Sequence, residues 1–192
     1  SGRSDSPESL AVHVHFAGQS LLEYQARQAA EAGAGKILIV VSSVAPALSR
    51  AVDRLIDDGL DIMLVRDIGT LLRQAPRDSD FLVIGDGMVV PQRFMNTLGG
   101  RSGNGLLVVE ASGPTESFER IDGMHRWAGL ARMAPAVLFS TLDLVGDWDL
   151  QLTLVRAIVQ SGAERVVAPQ DDVLEGRLAQ IDGQQSADLV TE

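Results

Sequence analysis

The sequence predicts an α/β domain built on a mostly parallel sheet with helices on both faces. Short and almost wholly apolar runs, such as KILIVV (Lys36–Val41) and GLLVVEA (Gly105–Ala111), alternate with stretches of helical period. Runs without polar alternation are expected of strands covered on both faces, the condition inside a parallel sheet. Glycines and prolines fall between the two kinds of segment, where turns and helix ends need them. A chain of 192 residues, 45% of them hydrophobic, suffices for one domain with its own core.

The elements follow in order. LAVHVHF (Leu10–Phe16) alternates and reads as a first strand. From Gln19, a helical face of Leu22, Ala26, Ala29, Ala30 and Gly33 leads to a stop at Gly33 and Gly35. Lys36–Val41 is the second strand. Pro46–Gly59 repeats the helical period through Leu48, Ala51, Val52, Leu55 and Ile56, with a glycine C-cap. Asp61–Arg66 is a third strand, Ile68–Gln74 a short helix, and Asp80–Gly85 a fourth strand. Pro91 opens a helix that closes at Gly99 and Gly100, and Gly105–Ala111 is the fifth strand. Asp147 caps a helix reaching Gln160, and Glu164–Pro169 is the last strand. The tail beyond holds one short helix at Val173–Ile181.

Composition narrows the function. A net charge of −10 argues against a nucleic-acid surface, which needs a basic face to displace counterions. A small phosphate ligand needs only local positive charge. With no cysteine, disulfides, thiolate catalysis and zinc–thiolate sites are excluded, which fits a cytoplasmic protein. No apolar run reaches bilayer length, so no direct membrane insertion is expected in this chain. Lys36 is the only lysine, so any mechanism that requires a lysine must use it.

Two places carry candidate chemistry. Gly85-Asp86-Gly87 sits where the fourth strand ends, at the edge where open α/β sheets bind ligands. A carboxylate there suits Mg²⁺, which takes carboxylate and phosphate oxygens, and flanking glycines let a nucleotide approach the backbone. The same tripeptide also serves as a plain strand-to-turn junction. The second place is FERIDGMHRWAGLARM (Phe118–Met133). Arg120 and Arg126 offer forks for phosphate oxygens, and Trp127 a face for stacking, with Asp122 and His125 between them. Alternatively these charges pair with one another, Glu119 with an arginine and Asp122 with His125. Asp149 in DWDL offers a further metal carboxylate or, more simply, favourable charge at a helix N-terminus.

GQSLLEYQARQAAEAGAGKILIVV (Gly18–Val41) and LVIGDGMVV (Leu82–Val90) resemble segments of nucleotidyltransferases of the nucleotide-diphospho-sugar transferase fold (GT-A, Rossmann-like). The resemblance runs from about residue 10 to residue 169. It implies that Asp86 holds the catalytic Mg²⁺, with Asp122 or Asp149 completing the metal site. It implies that Gly18, Gly85 and Gly87 lie against the substrate, that Arg120 and Arg126 bind the acceptor phosphate, and that His125 and Trp127 also meet substrate, Trp127 as a stacking face. The family's glycine-rich loop, with its arginine and following proline–lysine pair, is missing; Gly18 alone remains of it. The resemblance therefore implies a degenerate member whose transfer of a nucleoside monophosphate to a sugar or alcohol phosphate is weak or lost. The alternative is a pseudoenzyme: a non-catalytic nucleotide- or sugar-phosphate-binding domain with a regulatory or scaffolding role, belonging to a larger lipid-synthesis protein. A fused or partner membrane domain and a homo-oligomer are both compatible with the sequence. Residues 1–9 are read as a disordered or expression-derived leader, 10–169 as the domain, and 170–192 as a polar acidic tail.

Overall fold

The computed structural model describes residues 15–16, 19–41, 44–143 and 150–181. Eleven strands and seven helices are assigned among them. The chain enters through β1 (His15–Phe16) and β2 (Gln19–Ser20), then forms α1 (Leu21–Glu31), β3 (Ile37–Val40), α2 (Pro46–Asp57), β4 (Ile62–Val65) and α3 (Ile68–Gln74). β5 (Phe81–Ile84), β6 (Met88–Val89), α4 (Gln92–Gly99), β7 (Gly105–Glu110), β8 (Glu119–Arg120) and β9 (His125–Met133) follow. The last elements are α5 (Pro135–Leu142), α6 (Leu150–Gln160), β10 (Glu164–Val167), α7 (Gln170–Leu174) and β11 (Ala179–Gln180).

The sheet is mixed. Its main path runs β10–β7–β9–β5, with β8 paired to β9. β10 and β7 are parallel, and β9 is antiparallel to both of its path neighbours, so β5, β7 and β10 share one direction. β3 and β4 form a parallel pair. Among the described residues, β3 and β5 each keep one edge without a strand partner, and both are only half-buried for most of their length.

Helices cover both faces, as the apolar runs predicted. Leu107 and Val109 of β7 turn toward Ala29 of α1 and Phe94, Met95 and Leu98 of α4. Leu106 and Val108 turn the other way, toward Leu71 of α3, Leu138 of α5 and Leu154, Val155 and Ile158 of α6. A third cluster packs α2 on β3 and β4 through Leu48, Val52, Leu55, Ile39 and Ile62. The caps explain the helix boundaries. Asp67 accepts from the Thr70 backbone N–H at 2.6 Å and starts α3. α2 opens on Pro46 and ends before Gly59, whose φ of +94° a side chain would resist.

Three expectations change. Of the predicted first strand only His15 and Phe16 are described, and they pair antiparallel with Gln19 and Ser20. The stretch Phe118–Met133, given no strand or helix by the sequence, supplies β8 and β9, the latter the strand between β5 and β7. Residues 170–181, expected to be tail, pack into the domain: β11 pairs with β6, and Leu178 and Ile181 are buried. No helix of the described residues is long and apolar enough to cross a membrane.

Candidate functional site at the strand ends

The C-terminal ends of β5 and β7 and the N-terminal end of β9 meet at one edge of the sheet. Ile84 pairs with Leu130, the Gly85 N–H donates to the Gly129 carbonyl at 2.7 Å, and Glu110 pairs with His125. Asp86 and the start of β9 therefore share the edge that the sequence singled out.

Asp86 is half-buried. The turn that carries it is held from four sides. Its own backbone N–H donates to Gln151 Oε1 of α6 at 2.8 Å. Gln25 Nε2 of α1 donates to the Gly85 carbonyl at 3.0 Å and to the Met88 carbonyl at 2.8 Å. The Ile181 N–H donates to the Gly87 carbonyl at 2.6 Å. The flanking glycines have internal reasons to be glycine. A Cβ on Gly85 would lie 3.1 Å from the Trp127 ring, and Gly87 has a φ of +72° with the Ile181 carbonyl 3.0 Å from any added Cβ. Gln25 and Gln28 were not found from sequence, because polar side chains on a helix are read as outward. Both are buried, and Gln28 Nε2 donates to the Val90 carbonyl at 2.7 Å. Their spacing of three, beside Ala26 and Ala29, was the available signal.

The residues of Phe118–Met133 separate into different roles. Trp127 is 3% exposed, its indole N–H donating to the Leu130 carbonyl at 3.0 Å, so neither ring face is open for a base to stack on. Asp122 makes the turn before β9. Its Oδ1 accepts from the Met124 and His125 backbone N–H groups at 2.8 and 2.9 Å, and its Oδ2 meets Arg165 at 2.8 Å. The backbone N–H bonds, joined by Arg165, hold its carboxyl down to about 2. The sequence alternative paired the charges of Asp122 and His125, but Asp122 meets only the His125 backbone N–H and pairs its charge with Arg165. The His125 ring instead faces Arg165, with Nδ1 to Nη1 at 2.7 Å. Arginine has no acceptor, so Nδ1 accepts there.

Arg120 and Arg126 stand directly opposite one another across β8 and β9. Arg126 pairs with Val109, whose side chain joins the cluster under α1 and α4, so both arginines belong to that face. Arg126 Nη1 donates to the Phe118 carbonyl at 2.8 Å, and its buried Nε has no partner among the described residues. Arg120 is exposed, and its side chain makes no hydrogen bond or ion pair among the described residues. Lys36 donates to the Gln74 carbonyl at 3.2 Å, closing the C-terminus of α3. No three His, Asp or Glu side chains among the described residues converge as a metal site. Gly18 and Asp149 lie outside the described residues.

Neither a family model nor a curated protein matches the chain. Among solved structures, it is similar to a 4-diphosphocytidyl-2C-methyl-D-erythritol synthase at 14% identity and a TM-score of 0.63, over 93% of this chain and 92% of that one. It is also similar to HddC from Yersinia pseudotuberculosis at 17% identity and a TM-score of 0.46, over 70% and 71% of the two chains. The first likeness, nearly end to end, shows a shared α/β fold.

Proposed function

We propose that this chain is a nucleotidyltransferase-like domain that binds a nucleotide, or a sugar or alcohol phosphate, at the strand-end edge and transfers nucleotidyl groups weakly or not at all. The observation that supports this reading is that Asp86 follows the C-terminal end of β5, at the sheet edge where β9 begins and where Arg120 and Arg126 stand opposed across β8 and β9. Two like charges directly opposite on one face of a strand pair are destabilising by themselves, and an anion between them removes the repulsion.

The transfer would join the α-phosphorus of a nucleoside triphosphate to a phosphate oxygen of the acceptor and release pyrophosphate. One carboxylate is enough for Mg²⁺ that arrives on a triphosphate, so Asp86 would hold it from the protein side. The ion would neutralise charge on the phosphates. Asp122 is not assigned to the ion, since its oxygens already serve the turn and Arg165.

The reading of weak or lost transfer rests on the donors at hand. Only Ala17 and Gly18 separate β1 from β2, which leads straight into α1. Lys36 is committed to α3. A missing preorganised donor costs about a hundredfold or more in rate. The second reading, a domain that binds phosphate ligands without catalysis, is favoured by that same commitment of Lys36 and Asp122.

Thermal unfolding with a panel of nucleoside triphosphates, with and without Mg²⁺, tests this. A ligand present at a hundredfold its dissociation constant adds about 2.7 kcal/mol. The expected outcome is stabilisation by at least one nucleotide that Mg²⁺ strengthens and Asp86→Ala weakens, with little pyrophosphate released. Stabilisation indifferent to Mg²⁺ and to Asp86→Ala points to the binding domain. No shift with any nucleotide or sugar phosphate removes both readings.

A further inference from the structure

We infer that Gln25 is a positioning residue for Asp86: a buried side chain of α1 that sets where the carboxylate stands at the ligand edge. This deepens the proposed function and rests on it. Gln25 is 8% exposed, and its single amide nitrogen reaches two carbonyls, Gly85 O and Met88 O, that bracket Asp86 and Gly87. The contact spans at least 60 positions of sequence. Burying a primary amide is costly unless its hydrogen bonds are made, and here both donors are spent on one turn.

The turn is fixed independently of Gln25 on its other sides. Gly129 accepts from Gly85, Gln151 from the Asp86 N–H, and Ile181 donates to Gly87. The fold is thus closed around the turn without the amide, and the Gly85 carbonyl also accepts from the Met88 N–H at 3.3 Å, while Gln25 is the side chain that ties the Gly85 carbonyl, just before the aspartate, to the Met88 carbonyl beyond it. Removing it takes a donor from the peptide that precedes Asp86 and unties that peptide from the start of β6. Groups that orient a metal-binding carboxylate typically change metal affinity by about 10- to 100-fold when lost.

Gln28 supplies a matched control. It lies on the same helix, is 5% exposed, and gives its amide to Val90 O, beyond the turn. Gln25→Met and Gln28→Met each leave a buried carbonyl without its donor, so both lower stability to a similar degree.

The experiment is calorimetric titration of the full chain with the nucleoside triphosphate that stabilises it most, with and without Mg²⁺. The expected result is that Gln25→Met weakens Mg²⁺-dependent affinity about tenfold or more, while Gln28→Met leaves it within about twofold of the parent. In an Asp86→Asn background, Gln25→Met should add nothing, because the effect passes through Asp86. Equal affinity in Gln25→Met and the parent overturns the positioning role and leaves the proposed function standing. An equal loss in Gln28→Met, or a loss that persists in Asp86→Asn, reduces Gln25 to a structural residue. If Gln25→Met does not fold, Gln25→Asn, which keeps the amide but shortens its reach, takes its place with the same expectations. If the parent itself binds no nucleotide, the proposed function and this inference fall together.

Discussion

Single side chains at the strand ends divide between holding the fold and facing a ligand, and Asp122 falls on the first side. Its carboxylate accepts two backbone N–H groups and meets Arg165, and its carboxyl sits at about 2 in the folded protein. In an unfolded chain an aspartate titrates near about 3.9. A lowered folded value means that the contribution is fully present above the unfolded value and is lost as pH falls from about 4 through about 2. Urea unfolding of the parent and of Asp122→Asn should therefore differ at pH 7 and converge toward pH 2. A difference that stays constant over that range contradicts the assignment. The residues that carry such roles were legible as residue types and not as partners. Phe118–Met133 was visibly rich in charge, but nothing in its spacing revealed that Asp122 would meet Arg165, more than forty positions away. Asp86 was legible because its place follows from the end of an apolar run.

Helices before β7 were read closely, since their period and caps are local, whereas α5 was not predicted and the helix expected at Val173–Ile181 is α7 at Gln170–Leu174, followed by β11. α3 spans the predicted Ile68–Gln74, and α2 stops just short of the predicted glycine. β9 was missed, because HRWAGLARM carries two arginines and a glycine where a central strand is expected to be apolar. Of the arginines, Arg126 reaches a nearby carbonyl and Arg132 is accommodated by long-range partners. Arg132 bonds Asp80 at 2.9 Å and the Leu98 and Gly99 carbonyls at 3.1 and 3.0 Å. The glycine is needed by the strand itself. Between Leu106 and Val108 the pairing shifts, Leu106 meeting Ala131 and Val108 meeting Trp127, so β9 spends four residues where β7 spends two. Gly129 sits in this irregularity with a φ of +89°, and an added Cβ would lie 2.4 Å from Met88 Cγ. Gly129→Ala should destabilise the protein by about 2–4 kcal/mol, combining left-handed backbone strain with overpacking. Adding Met88→Ala should recover only part of the steric cost, because the Met88 Cβ would still lie 2.8 Å from the new Cβ, and leave the backbone part. Chemical denaturation of the two variants measures both, and a neutral Gly129→Ala refutes the bulge geometry.

At the scale of the whole molecule, the layered α/β plan was legible because it is written in repeated apolar runs, whereas the extent of the domain was not. A polar composition after Pro169 reads as tail, yet three of the residues there are among the most buried of the chain. Leu178 is fully buried, Ile181 is 5% exposed and Asp172 is 1% exposed. Asp172 shows why polarity misleads. Burial pushes its carboxyl up, but Arg93 and Arg177 outweigh that and hold it below the usual carboxylate range. A charge paired from α4 and from its own segment is a tether, not a sign of solvent. β11 then lies along β6, and Ile181 reaches the Gly87 carbonyl beside Asp86. The segment 170–181 therefore links the stability of the domain to the geometry of the candidate site. Burying a Leu or Ile contributes about 1.5–3 kcal/mol each. Leu178→Ala should accordingly cost about 2–5 kcal/mol, a large share of the roughly 5–15 kcal/mol available to a domain. Stopping the chain after Pro169 should remove both side chains, the β6–β11 pairing and the Asp172 tether at once. The expected outcome by thermal unfolding is a truncated chain with no cooperative transition, or one lowered by more than Leu178→Ala lowers it. A truncated chain that melts like the parent would return residues 170–181 to the status of a tail.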